Sequence, residues 1–167
     1  MARIFAISNQ KGGVGKTTTT VNLAASLAAT KRRILLVDLD PQGNATMGCG
    51  IEKNDRELTL YDLLLHKATV EQVICYSESG KFDVLPSNGD LTAAEVELLN
   101  VPNKEFVLSE LLNSIRDQYD FILIDCPPSL SMLTVNAMAA CDGVIIPIQC
   151  EYYALEGLSA LMNTIAR

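Results

Sequence analysis

The sequence predicts an α/β fold: a mostly parallel, twisted sheet with helices on both faces. Short runs such as Leu35-Leu36-Val37 and Ile122-Leu123-Ile124 are apolar throughout, as strands buried on both faces require. Segments with helical spacing follow these runs, and strand–helix alternation specifies a parallel sheet. The composition allows one core of ordinary size, since 49% of the 167 residues are apolar and 20% are charged. Crossovers between parallel strands are expected to be right-handed.

The elements follow in order. Arg3 to Ser8 is a short apolar strand, and Gln10 to Gly15 is a Gly-rich loop. Lys16 to about Thr30 is predicted helical, with Val21, Leu23, Ala24, Leu27 and Ala28 on its apolar side. Ile34 to Leu39 is a continuous apolar strand that ends in acid. Residues 41 to 58 are expected to be loop, with Gly43, Gly48 and Gly50 followed by a charged run. Short helices are expected over Leu60 to His66 and Val70 to Cys75, and Pro86 stops a strand from Lys81 to Leu85. Helices near Leu91 to Leu99 and Lys104 to Asp117 flank Pro102. Phe121 to Asp125 is a buried strand, Met132 to Ala140 a helix, Val144 to Ile148 a strand, and Tyr153 onward a helix again. No repeat, low-complexity segment or linker divides the chain, so residues 1 to 167 form a single expected domain. The stripe Leu155, Leu158, Leu161, Met162 and Ile165 runs to Arg167 without a Gly or Pro stop, so a longer protein with a C-terminal third is expected.

Composition narrows the chemistry. No apolar run reaches the roughly 20 residues of a membrane-spanning helix, and the N-terminus does not read as a signal peptide. A cytoplasmic location is expected. Cys49, Cys75, Cys126, Cys141 and Cys150 are odd in number and include no CxxC pair, which argues for free thiols over a disulfide framework or zinc site. His66 is the only histidine and falls near a helix end, where a cap or surface role is expected. The net charge of −7 argues against a general basic surface for nucleic acid. The one basic cluster, Lys31-Arg32-Arg33, sits where a helix C-terminus explains it.

The run Gln10-Lys11-Gly12-Gly13-Val14-Gly15-Lys16-Thr17-Thr18 carries the most specific chemistry. Its Gly-Lys-Thr core matches the end of a Walker A loop, between a predicted strand and a predicted helix. Glycines let successive N–H groups turn inward on phosphate oxygens, and the helix N-terminus adds partial positive charge. Lys16 supplies a point charge for the β- and γ-phosphates, and the Thr17 hydroxyl is a magnesium ligand in such loops. The expected fold is therefore of the P-loop NTPase type, with ATP and Mg2+ as ligands. The standard first glycine would fall at position 10, which is Gln10, and an extra lysine, Lys11, stands beside it.

Lys-Gly-Gly-Val-Gly-Lys-Thr-Thr resembles the deviant Walker A motif of the ParA/MinD family of ATPases. Leu35 to Asn44 resembles the family's second acidic segment and switch I, and Phe121 to Leu130 its Walker B strand and switch II. Val144 to Gly157 is similar to the chromosomal ParA (Soj) branch, and the resemblance covers the whole chain.

The resemblance implies residue roles. Lys11 would reach across a dimer to the partner's nucleotide, although by itself it would read as a solvated loop lysine. Asp40 would orient the attacking water, and Asp38 would belong to the magnesium and switch environment. Two apart on an extended chain, both would face the same way. Asp125, at the tip of a buried strand, would meet magnesium through a water, with a helix cap as the plainer reading. Lys11, Gly12, Gly13, Val14, Gly15, Lys16, Thr17 and Thr18 would hold the nucleotide. Lys11, Lys16 and Asp40 would act in hydrolysis, and Thr17, Asp38 and Asp125 would hold the metal. Cys126 reads as packing, and so does the Tyr152-Tyr153 pair.

The activity implied is slow, partner-stimulated hydrolysis by a partition ATPase serving a chromosome or plasmid. ATP would close a homodimer, the full-length protein would bind DNA non-specifically and associate with the nucleoid, and a ParB-type protein would stimulate turnover. Two other readings stay open: a MinD-like membrane-cycling ATPase, and a nucleotide-binding module without turnover. The switch sequence Asp125-Cys126-Pro127-Pro128 favours the Soj branch, for which no membrane partner is expected.

Overall fold

The computed structural model describes residues 2–8, 16–52, 54 and 57–147, and of Lys16 and Thr17 only the backbone. The expectations on Gln10 to Gly15, on Cys150 and from Ile148 to Arg167 lie outside the described residues.

Six strands form one sheet: β1 (Arg3–Ile7), β2 (Ile34–Asp38), β3 (Cys75–Ser77), β4 (Phe82–Leu85), β5 (Phe121–Asp125) and β6 (Gly143–Ile145). Their order is β3-β4-β2-β5-β1-β6, and every neighbouring pair is parallel except β3 with β4. Helices α1 (Lys16–Ala29), α2 (Asn44–Gly48), α3 (Leu60–Leu64), α4 (Val70–Val73), α5 (Leu91–Glu97), α6 (Val107–Ile115) and α7 (Met132–Ala140) cover the two faces.

Strand alternation divides the core in two. Ile4, Ala6, Leu35, Val37, Ile122 and Ile124 join Leu64, Leu91, Leu98, Leu108 and Leu112 under α3, α5, α6 and α7. Ile7, Leu36, Val84 and Leu123 join Ala24, Ala45 and Cys49 under α1 and α2. The run Thr17-Thr18-Thr19-Thr20 opens α1 although β-branched residues are poor helix formers. Packing of Ala24, Val21 and Leu27 against the sheet outweighs that weak preference. The helix closes where Lys31 takes φ 64°, its N–H bonded to the Ala28 carbonyl at 3.0 Å. This is the helix C-terminus expected at the basic cluster. Arg32 then lies over the Phe121 ring at 5.8 Å, and Arg33 pairs with Asp120 at 3.3 Å. His66, with φ 58°, is exposed just past α3, as expected of a cap.

Two segments differ most from expectation, besides β6, which ends at Ile145, and α6, whose expected ends at Lys104 and Asp117 are 3-10 turns. The loop over residues 41 to 58 contains α2, a single turn too short to leave a periodic signal. The helix expected to reach Cys75 stops at Val73, and Cys75–Ser77 instead pairs antiparallel with β4. Side-chain capping fixes the start of that helix, and pairing with β4 draws the chain out of it after Val73. The Gln72 side chain accepts from the Thr69 N–H at 2.9 Å, and Ile74 is already extended.

Candidate functional site

Strand register builds the site at the carboxyl edge of the sheet, where open α/β sheets bind their ligands. Asp38 ends β2 and Asp125 ends β5, and the two residues are direct lateral partners. Asp125 is also level with Ile7, the last residue of β1. The phosphate-loop sequence starts just beyond that point. Both carboxylate residues are fully buried, on the α1 face by strand alternation.

The surrounding donors are specific. The Thr20 hydroxyl of α1 donates to Asp125 Oδ1 at 2.9 Å. Asp38 Oδ2 accepts from the Thr46 N–H at 2.8 Å and its hydroxyl at 2.6 Å, and Asp38 Oδ1 accepts from the Asp40 N–H at 3.1 Å. Burial, reinforced by the Asp125 charge, lifts the Asp38 carboxyl from 3.8 to about 7. Burial, with the charges of Asp38 and Asp125, pushes the neighbouring Cys49 thiol up to about 12, so it stays neutral.

Asp40 has a different setting. The strand ends at Asp38, and the chain turns so that the Asp40 N–H points back at Asp38. The two carboxylates therefore do not continue one extended strand, as the sequence had led us to expect. Asp40 is 6% exposed, and its Oδ1 accepts from the Gln42 N–H at 3.0 Å. Its carbonyl accepts from the Ser87 hydroxyl at 2.6 Å and the Gly43 N–H at 2.9 Å. Beyond Asp125, the Cys126 N–H bonds to the Ile7 carbonyl at 3.1 Å, which ties the start of the Pro127-Pro128 segment to β1. The far end of that segment is held by Glu95 of α5, whose Oε2 accepts from the Met132 N–H at 3.0 Å.

The structure thus brings Asp38, Asp40 and Asp125 to one edge. Thr18 is exposed on the first turn of α1. Lys11, Gly12, Gly13, Val14 and Gly15 lie outside the described residues, as do the side chains of Lys16 and Thr17. Sequence reading missed Thr20, Thr46 and Ser87. Thr20 had a signal, since it stands one helical turn beyond Lys16. Thr46 and Ser87 had none, because their partners are set by the tertiary fold.

Magnesium fits this donor set. Two adjoining buried carboxylates call for a proton or a cation, and hard oxygen ligands suit magnesium. Among the described residues no group of three or more His, Cys, Asp or Glu could cage a metal. A groove of about 630 Å³ beside α7 and β6 is walled by Phe106, Leu130, Val135 and Met138, and neither Asp38 nor Asp125 lines it. Among the described residues no helix is long and apolar enough to cross a membrane.

A family model described as an AAA domain matches residues 2–167. The chain is 56% identical over 165 residues to the chromosome partitioning protein ParA of Myxococcus xanthus, covering 99% of this chain and 58% of that one. It is 54% identical over 165 residues to the sporulation initiation inhibitor protein Soj of Bacillus subtilis, covering 99% and 65%. The chain belongs to the ParA/MinD/Soj family of deviant Walker A P-loop ATPases. It spans less than two thirds of the length of either relative. Among solved structures, this ParA/Soj-type chain superposes with a TM-score of 0.95 on cobyrinic acid a,c-diamide synthase from Mycobacterium smegmatis with bound ATP analogue and magnesium. That match is 38% identical and covers 99% of this chain and 68% of the other. The sheet order and flanking helices are those of a P-loop NTPase.

Proposed function

We propose that the protein is an ATPase of the partition type, which dimerises around ATP and uses slow, partner-stimulated hydrolysis to end the dimeric state. The observation that carries this reading is the buried Asp38–Asp125 pair, level with the end of β1 where the phosphate-loop sequence begins. The lengthwise likeness to ParA and Soj supports the same reading.

Backbone N–H groups of Gly12, Gly13, Val14 and Gly15, together with Lys16 and Thr18, hold the phosphates. Thr17, Asp38 and Asp125 would hold Mg2+. Bound there, magnesium would offset the charge of the phosphate oxygens. Lys11 delivers a cation to the nucleotide of the second copy, as an arginine finger does. Asp40 orients the attacking water. Loss of the γ-phosphate releases the segments after Asp38 and Asp125, and the dimer separates. The protein works in the cytoplasm, associated with the nucleoid. Non-specific DNA and a ParB-type protein are its partners, in segregation of a chromosome or plasmid.

The test is Asp40→Ala. It is expected to bind ATP and accumulate as dimer while hydrolysis stops, measured by light scattering and phosphate release. Wild-type turnover in that variant would overturn the role of Asp40. Lys16→Ala is expected to lose nucleotide affinity in titration calorimetry.

A further inference from the structure

We infer that Thr46 and Ser87 are positioning residues for hydrolysis, joining the Asp40 turn to the loop after β4. This rests on the role given to Asp40 above.

The two side chains close a buried network. Thr46 and Ser87 are both 0% exposed, and they lie 41 positions apart in the chain. The Thr46 hydroxyl donates to Asp38 Oδ2 at 2.6 Å and accepts from the Ser87 N–H at 2.9 Å. The Ser87 hydroxyl donates to the Asp40 carbonyl at 2.6 Å. Ser87 therefore grips both ends of the 40–46 segment, its N–H on Thr46 and its hydroxyl on Asp40. Asp38 grips the same two residues from the sheet, through the N–H groups of Asp40 and Thr46. A carboxylate that aligns a water must be held to a fraction of an ångström, and its own rotamer depends on the backbone that carries it. Asp40 is two residues past the end of β2, so the sheet alone does not fix it. Ser87, just past Pro86 at the end of β4, supplies the second anchor from a neighbouring strand.

The arrangement also separates positioning from folding. With Ser87→Ala the Asp40 carbonyl keeps the Gly43 N–H at 2.9 Å. That loss loosens the turn without leaving a buried acceptor bare. Thr46→Val removes both contacts of the hydroxyl at nearly constant volume, and Thr46→Ser restores them.

The experiment measures kcat, KM for ATP and the thermal midpoint of the intact protein for Ser87→Ala, Thr46→Val, Thr46→Ser, the Ser87→Ala/Thr46→Val double variant and Asp40→Ala. Ser87→Ala is expected to lower kcat about tenfold while KM changes less than about twofold, because it weakens alignment and not phosphate binding. Thr46→Val is expected to lower kcat at least as much and also to raise KM, because its hydroxyl holds Asp38 as well. The double variant is expected to lose less than the product of the two single losses, as members of one network do. Thr46→Ser is expected to recover kcat to within about twofold. If folded Ser87→Ala and Thr46→Val turn over like wild type while Asp40→Ala is inactive, the positioning role is wrong and the role of Asp40 stands. If Asp40→Ala itself turns over like wild type, both fall.

Discussion

The two faces of the sheet do different work. One carries the larger core, where Leu64, Leu91, Leu98 and Leu108 are fully buried among apolar neighbours. The other carries the smaller cluster under α1 and α2, and shares its strand faces with Asp38 and Asp125. Apolar burial stabilises the first face at about 25 cal/mol per Å². The second gives up part of that gain by placing two carboxylates where Leu or Val would pack. Natural proteins break packing rules mainly at functional sites, and the break here falls at one edge of one face.

The comparison is sharpest when stability and nucleotide affinity are measured together. Leu64→Ala on the larger face is expected to cost about 2–5 kcal/mol in urea unfolding, since a large cavity opens in a closed core. Its affinity for magnesium–ATP is expected to hold. Equal losses of both quantities would mean that the faces are not separable.

Asp125→Asn should reverse that pattern. The amide keeps an oxygen for the Thr20 hydroxyl and removes one of two buried like charges. Nucleotide-free stability is expected to stay level or rise by about 1 kcal/mol, while magnesium-dependent ATP affinity falls at least about tenfold. The pH dependence follows from Asp38, whose carboxyl is raised from 3.8 to about 7 in the folded state. Between these values the folded form binds more protons than the unfolded chain. The contribution of Asp38 to stability is therefore fully present below about pH 4 and is lost as pH rises to about 7. Without nucleotide and metal, unfolding midpoints are expected to fall over that window, and less steeply in Asp125→Asn.

The smallest effect is expected at Glu95, which joins the larger face to the segment after Asp125. Glu95→Gln keeps an acceptor for the Met132 N–H but loses the negative charge at the start of α7. A cost of about 0.3–1 kcal/mol is expected, measured by thermal unfolding at low and high salt. An unchanged midpoint at low salt would remove the helix-dipole explanation.

Much of this was legible in the residues. Runs such as Ile122-Leu123-Ile124 announced buried parallel strands, and β1, β2, β5 and α7 fall within a residue or so of their expected limits. Their signals are local, set by strand apolarity and helical period. What escaped was α2 and β3. Asn44–Gly48 is helical where Asp38 holds the Thr46 N–H, and Cys75–Ser77 is a strand because β4 offers it an edge. Both interactions are close in sequence, but a five-residue helix and a three-residue strand are too short to leave a periodic signal.

The site divides along the same line. The acidic ends of two apolar strands and the Gly-Lys-Thr run were written in the chain. They specify carboxylates, a cation and a helix start near phosphates, because each depends on residues a few positions apart. Only the tertiary structure decided that Asp38 and Asp125 stand shoulder to shoulder, that Thr20 reaches Asp125, and that Ser87 and Thr46 brace the Asp40 turn. Those contacts join segments 41 to 105 residues apart, and strand order and register set them.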